Sequence, residues 1–430
     1  MRRLYSAVWW LAMPLVLARL WWRGRREPGY RQHIGERLAL VPHHKDDVPL
    51  IWLHAVSVGE TRAAEPLIDL LLATYPSHRL LLTHMTPTGR ATGAALFAQH
   101  GSRVRQAYLP YDTGWTVERF LVRNKPQICL LMETEIWPNL MARCAARRLP
   151  VVLVNARLSE RSLKKARRLG SLMIDAARQL QRVGAQTSGD AERIRSLGVT
   201  DVEVTGSIKF DVTPSAAMLA LGRQMRRQIG DRPVLLCAST RDGEEAMILD
   251  ALGASNLPPS TLLIIVPRHP QRFDTVAALI TSRGLSLQRR SLLGTAMVDT
   301  DVLLGDSMGE MFGYCAASDL VAIGGSLLPL GGQNPIEACA VGKPVLCGPH
   351  TFNFKAISEE VMVAGAGLRV ADVTALLRDA GALLRDDALR LSMGASAQRF
   401  AQQHRGATVR TMALLQPLIA VDQATERLSD

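Results

Sequence analysis

The chain has 430 residues, 47% of them apolar, a net charge of +12 and six cysteines, with a mean hydropathy of +0.07. Such a length accommodates about two or three ordinary domains, and such a composition excludes wholesale disorder. Half of the positive excess lies in residues 1–37, where eight arginines face only Glu27 and Glu36. The basicity is therefore partly an N-terminal device and not a uniform nucleic-acid coat, and no nucleic-acid partner is expected.

Leu4 to Trp22 is an apolar stretch interrupted by Pro14 and Arg19, with Trp9, Trp10, Trp21 and Trp22 inside it and arginines on both flanks. No small-residue cleavage site follows Trp22, which argues against a signal peptide. Tryptophans suit the headgroup level of a bilayer and arginines suit anionic lipid. The heavier positive flank is C-terminal, which predicts that the body stays on the cytoplasmic side. Spanning and in-plane attachment both remain open, as does a core helix of an N-terminal subdomain.

From residue 50, short apolar runs alternate with amphipathic patterns. Strands are expected at 50–54, 79–83, 105–109, 127–132, 150–154, 181–186 and 202–205. The alternation pauses at Phe210-Asp211-Val212-Thr213-Pro214-Ser215, read as a linker followed by a helix. Further strands are expected at 233–237, 261–266, 301–304, 319–323 and 344–347, with helices from about 371. Strand and helix in alternation predict parallel sheets covered on both faces, here as two α/β domains with a cleft between. The cysteines (Cys129, Cys144, Cys237, Cys315, Cys339, Cys347) form no C-x-x-C pair. They read as buried thiols in a reducing compartment, without a zinc site.

Several segments place chemistry directly after a strand. Ser57-Val58-Gly59-Glu60 puts a carboxylate where a strand ends and a helix begins, the edge of an open sheet at which ligands bind; complementing the helix N-terminus is the other role open to it. Glu133 and Glu135 follow the 127–132 strand, so Glu133 and Glu60 would share one edge, which suits general base work; a salt bridge or a helix cap fits the same acids. Arg268 and His269 follow a later strand and suit phosphate, or a surface turn. Gly324-Gly325-Ser326 and then Gly331-Gly332-Gln333-Asn334-Pro335-Ile336-Glu337 open a helix, with Asn334 as N-cap, Pro335 in the first turn and Glu337 able to accept from ribose. The chain lacks a P-loop motif. Asp306 to Met311, with Met308, Gly309 and Glu310, reads as another helix start, for a nucleotide contact or plain capping. Lys209 sits at the domain junction. Ser162 to Arg168 is a basic helix that suits lipid phosphate or solvent. Asp299 and Asp301 form an acidic pair of a kind that could bind a metal but is common by chance.

Taken together these motifs resemble the 3-deoxy-D-manno-octulosonic acid (Kdo) transferases of lipopolysaccharide synthesis. The resemblance rests on His54 to Glu60, Met85 to Gly89, Tyr108 to Asp112, Met132 to Asn139, Asn155 to Ser159, Gly206 to Asp211, Pro267 to Pro270, Gly324 to Ser326, Asn334 to Glu337 and Gly348 to Phe354, with Gly35-Glu36-Arg37 before them. It covers nearly the whole chain. It implies a B-type glycosyltransferase fold of two Rossmann-like domains facing a cleft. The expected division is a membrane anchor at 1–40, an acceptor domain at 41–208 and a donor domain at 209–430 whose last helices can pack back on the first. It further implies transfer of Kdo from CMP-Kdo to a lipid A precursor at the cytoplasmic face of the inner membrane, with membrane phospholipid as a further partner and neither cofactor nor metal. Glu60 would be the base, and Glu133 and Lys209 would support the transition state. CMP contacts would fall on Arg268, His269, Met308, Gly309, Glu310, Asn334, Pro335, Ile336 and Glu337, with Gly324, Gly325 and Ser326 beside them. Gln333, Leu330 and Ser239-Thr240-Arg241-Asp242 depart from the commoner family pattern and affect the donor-side hydrogen bonding. Another membrane-associated nucleotide-sugar glycosyltransferase or an epimerase of the same fold is the alternative, and a non-catalytic basic membrane-bound module for anionic lipid or nucleic acid is a third reading, against which the N-terminal placement of the arginines and the cleft acids argue.

Overall fold

The computed structural model describes residues 1–25, 27–40, 48–211 and 213–419. Arg26 of the basic segment and Val212 of the expected linker lie outside them. The chain forms two units, Met1–Asp211 with Arg405–Asp430, and Val212–His404.

In the first unit, strands β1 (Leu50–His54), β2 (Arg79–His84), β3 (Val104–Tyr108), β4 (Ile128–Met132), β5 (Val151–Ala156), β6 (Arg182–Ala185) and β7 (Val202–Val204) form one sheet in the order β3-β2-β1-β4-β5-β6-β7. All its pairings are parallel. Each strand falls within two residues of its expected place. The reason is visible in the packing. Strands covered on both faces read as unbroken apolar runs, and alternate residues feed opposite sides. Trp52, Cys129, Leu131 and Leu153 pack on one face, and Ile51, Leu53, Leu130, Met132 and Val154 on the other. Trp52, wholly buried, packs tilted against Phe120 with ring centroids 4.9 Å apart and donates its Nε1–H to Thr83 Oγ1 at 2.9 Å.

In the second unit, β8 (Val234–Thr240), β9 (Leu262–Pro267), β10 (Leu287–Arg289), β11 (Val302–Leu304), β12 (Leu320–Ile323), β13 (Val345–Cys347) and β14 (Gly367–Arg369) run β10-β11-β9-β8-β12-β13-β14. The sequence pattern missed β10 and β14. Each is a three-residue edge strand with a single large apolar residue, whereas the equally short β7 has two valines in alternation. Strand order reverses between β1 and β4 in one sheet and between β8 and β12 in the other. Connections leave such a point to opposite faces, and a crevice opens at the carboxyl ends of the strands.

The helix Ala407–Leu415 belongs to the first unit. Asp211 caps it, accepting from the N–H groups of Gly406 (2.5 Å), Ala407 (3.2 Å) and Thr408, while Arg410 Nε donates to the Thr205 carbonyl at 2.8 Å. The N-terminal helix Arg2–Arg23 buries only Met13 and Leu20, so it is not the core helix that the apolar composition alone would allow. It docks through Ser6, whose hydroxyl donates to Asn139 Oδ1 at 3.1 Å, and through Trp9, 5.8 Å from the Tyr111 ring. By length and composition it is able to cross a membrane.

One carboxylate thus serves three backbone donors at the start of the last helix. Asp211→Ala is expected to cost about 2 kcal/mol of stability, read as a lower urea midpoint at unchanged slope; an unchanged midpoint would show the cap to be dispensable.

Candidate active site

Glu60 sits in the first turn of the helix Val58–Thr74, which starts directly beyond β1. Ser57 is the N-cap. Its side chain accepts from the Glu60 N–H, and its hydroxyl donates back to Glu60 Oε1, both at 3.4 Å. Glu60 Oε2 accepts from the Val56 N–H at 2.8 Å. This is a capping box in sequence and nearly so in geometry, so the capping role open to Glu60 from sequence is real. It does not decide the charge state. Burial raises the Glu60 pKa from 4.5 to about 7, and Glu133 and Glu135 push it the same way, against the lowering by the Val56 N–H. A carboxyl with a pKa near 7 is matched to general base work at neutral pH.

Glu133 follows β4, the neighbour of β1 across the switch point. Its φ is +60°, a conformation uncommon for a residue with a side chain and one that clusters at functional sites. Lys209 Nζ donates to Glu133 Oε1 at 2.6 Å. Lys209 is held by the turn Ile208–Phe210: Ile208 is buried, and its N–H donates to Asn155 Oδ1 at 3.1 Å. Asn155, at the end of β5, is itself buried with φ +52°. Glu135 accepts from the Trp137 indole N–H at 2.9 Å, and burial raises its pKa. The three expected catalytic residues thus meet on one unit, and Asn155 joins them as a positioning residue. His54, which opens the Glu60 motif, is structural. Burial lowers its pKa to about 3, and its Nδ1 lies 2.9 Å from Thr83 Oγ1.

On the second unit the switch point is organised by acids that the sequence reading passed over. Buried Glu244 accepts from the N–H groups of Gly325 (2.6 Å), Leu327 (3.0 Å) and Arg241 (2.9 Å). Glu245 takes Arg272 in a two-pronged pair at 2.6 and 3.0 Å and the Thr240 hydroxyl at 2.7 Å. Gly324 is required by close approach, since a Cβ there would stand 2.3 Å from the Ser239 carbonyl oxygen. Ser326 is buried, and its Oγ accepts from the Gly348 N–H at 2.8 Å. The Gly325 amide and the Ser326 hydroxyl are committed inside the protein, so this loop offers a ligand its shape. The helix after it begins at Ile336, with Pro335 as the N-cap residue, one place later than expected. Asn334 still caps it, its Oδ1 accepting from the Ile336 N–H at 3.1 Å, and Glu337 lies in its first turn.

Arg268 and His269 follow β9. Burial lowers the His269 pKa, and Arg241, Arg268 and Arg272 lower it further. That neighbourhood of guanidiniums favours a phosphate or carboxylate ligand. Among the described residues no polar partner holds the Arg241 guanidinium, and its Cγ is 3.4 Å from where a Gly325 Cβ would lie. Met308 is exposed, and Gly309 has open space around it and φ +81°. Glu310 is tied down by the Ser307 hydroxyl at 2.6 Å and Arg290 Nη2 at 3.3 Å. Asp301 accepts from the Ser286 N–H and hydroxyl at 2.9 and 2.6 Å, which makes it a loop tie. In the basic helix Glu160–Arg168 only Leu163 is buried.

A family model described as "3-Deoxy-D-manno-octulosonic-acid transferase (kdotransferase)" matches residues 32–212. The chain is 44% identical to a 3-deoxy-D-manno-octulosonic acid transferase of Bordetella pertussis, over 94% of this chain and 96% of that one. It is 35% identical to the enzyme of the same description from Haemophilus influenzae, over 97% and 99%. The UDP-GlcNAc 2-epimerase of Neisseria meningitidis shares the fold at 16% identity, with a TM-score of 0.57 over 86% of this chain and all of that one. The two parallel-sheet units are those of the B-type glycosyltransferase fold.

The raised Glu60 pKa has a consequence for stability. The folded chain retains a proton that the unfolded chain releases near pH 4.5, so Glu60 lowers stability progressively as the pH rises from about 4.5 through 7. Glu60→Gln keeps an acceptor for the Val56 N–H and carries no charge. Its stability is expected to match the parent at pH 4 and to exceed it by about 2 kcal/mol at pH 8. Equal stability at both values, by urea unfolding, would show that burial does not tax this carboxylate.

Proposed function

The chain belongs to the 3-deoxy-D-manno-octulosonic acid transferase family of glycosyltransferases, and on that premise we propose that it moves Kdo from CMP-Kdo to a hydroxyl of the lipid A precursor lipid IVA. The observation that carries the reading is Glu60: a carboxyl held by its own helix cap, with a pKa near 7, at the switch point of the first sheet. Its ionised form takes the proton of the acceptor hydroxyl. The oxygen attacks the anomeric carbon of Kdo from the face opposite the CMP leaving group, so configuration inverts. Lys209 pairs with Glu133 beside it. The second unit supplies the donor residues. Arg268, His269 and Arg241 are suited to the phosphate and to the Kdo carboxylate, and Met308, Gly309, Asn334 and Glu337 to the cytidine. Charge growing on the departing phosphate is met by these cations, and the step as written calls for neither cofactor nor metal.

We place the enzyme on the cytoplasmic face of the inner membrane. Leu4, Val8, Leu11, Leu15 and Trp22 recur at helical spacing and are each more than half exposed, while Met13 and Leu20 of the same helix are buried. A helix apolar on its outer side and packed on its inner side suits in-plane attachment, and it would bring the acyl chains of the acceptor to the first unit.

With CMP-Kdo and lipid IVA, products weighed by mass spectrometry should gain one or more Kdo units. Glu60→Gln is expected to lower turnover about 10²- to 10⁴-fold while CMP binding is retained. Normal turnover in that variant would sink the assignment of the base. Arg241→Gln is expected to raise the KM for CMP-Kdo about tenfold with the KM for lipid IVA unchanged; an unchanged donor KM would remove Arg241 from the donor site.

A further inference from the structure

A cavity of about 490 Å³ opens beside the start of the N-terminal helix, lined by Arg2, Arg3, Ser6, Trp10, Asn139 and Arg143 among others. Three of these side chains are guanidiniums. Among the described residues neither Arg2 nor Arg3 has a polar partner for its side chain. Arg143 has only a share of one: it stands 3.7 Å from Glu118, whose carboxylate Arg147 already holds at closer range. One carboxylate between two guanidiniums leaves a net positive charge. The adjoining cavity adds one acid, Asp175, and shares Arg2 and Arg3, so the balance over both stays positive. This charge lines a hollow large enough for a phosphate group.

The surroundings say where that phosphate comes from. Trp10, half exposed, forms one wall, and on the same helix Leu4, Val8, Leu11 and Leu15 are exposed. Arginines around a hollow, a tryptophan at its rim and an apolar helical stripe beside it are the sequence of environments met from headgroup to acyl chain. We infer that this cavity binds the phosphate of an anionic membrane phospholipid, drawn from the bilayer that receives the apolar stripe. The inference rests on the in-plane attachment proposed above and adds a defined headgroup site to it. That site fixes how the helix, and with it the first unit, is turned on the membrane.

The test uses the full-length protein and two sets of vesicles, phosphatidylcholine alone and phosphatidylcholine with phosphatidylglycerol, read by co-sedimentation. The parent is expected to bind both and to bind the anionic vesicles more tightly. The variant Arg2→Gln/Arg3→Gln/Arg143→Gln should lose that anionic increment, about tenfold or more in the partition coefficient, and keep its binding to phosphatidylcholine. Arg223→Gln/Arg227→Gln/Arg399→Gln, exposed arginines of the second unit, removes the same charge and should keep the increment. Arg2→Gln/Arg3→Gln, at the exposed end of a helix, tests the site without touching the Glu118 cluster and should lose most of it. Equal losses in the two triple variants would overturn the site in favour of diffuse attraction, as would displacement of the parent by millimolar inorganic phosphate in favour of a small-anion site. A raised KM for detergent-dispersed lipid IVA in the cavity variant would overturn it in favour of an acceptor site. Parent protein that binds neither vesicle would instead defeat the attachment reading on which the site rests.

Discussion

Three carboxylates crowd the carboxyl ends of β1 and β4, and one ammonium is there to offset them. Glu60, Glu133 and Glu135 approach one another in a largely buried setting, where like charges are expensive. Lys209 pairs with Glu133 at 2.6 Å. Burial, and after it the like charges of Glu133 and Glu135, favour a proton on Glu60. The helix N-terminus and the Val56 N–H pull in the opposite direction, toward an ionised Glu60. Burial outweighs them, and the pKa ends near 7 rather than below 4.5. The raised pKa of Glu60 therefore reflects its burial and its acidic neighbours together. The turn that delivers Lys209, the buried Asn155 that holds that turn, and the Asp211 cap behind it all maintain this balance.

The two sheets follow one plan and put opposite charges at their switch points. On the first unit the acids face the crevice. On the second, Glu244 and Glu245 are turned inward, one clamping the glycine loop by its amides and the other neutralising Arg272. That leaves the Arg241 and His269 neighbourhood electropositive. The transfer proposed above draws on both, the acid-lined edge to take a proton and the cation-lined edge to hold an anionic donor. The N-terminal helix adds a third specialised surface, apolar outside and pinned inside through Ser6 and Trp9.

Much of this was legible in the sequence. Strands buried on both faces announce themselves as apolar runs, and the residues directly after them are the ones a parallel sheet offers to ligands, which is how Glu60, Glu133, Arg268 and His269 stand out. What stayed hidden depends on distant partners. Glu244 looks like any acid in a first helical turn until Gly325 and Leu327, some eighty residues away, are found on its carboxylate. Arg241 stood out only as a departure from a family pattern, and its lack of a side-chain partner among the described residues is a tertiary fact. Glu310, legible as a ligand contact, is engaged by Ser307 and Arg290. β10 (Leu-Gln-Arg) and β14 (Gly-Leu-Arg) escaped because each offers a single large apolar residue, whereas β7, equally short and also at an edge, shows itself as Val-Glu-Val. Positive φ at Glu133, Asn155 and Ser239, which marks both switch points, leaves no trace in residue type.

The titration of Glu60 itself tests this account most directly. Carboxyl-carbon NMR of the protein labelled at glutamate, with the Glu60 resonance identified by its loss in Glu60→Gln, should show a midpoint near 7 that falls when Glu133 is replaced by glutamine, since a like charge has been removed. A midpoint near the ordinary 4.5, insensitive to Glu133, would contradict it: Glu60 would then be only a helix cap, and the base of this enzyme would have to be sought elsewhere.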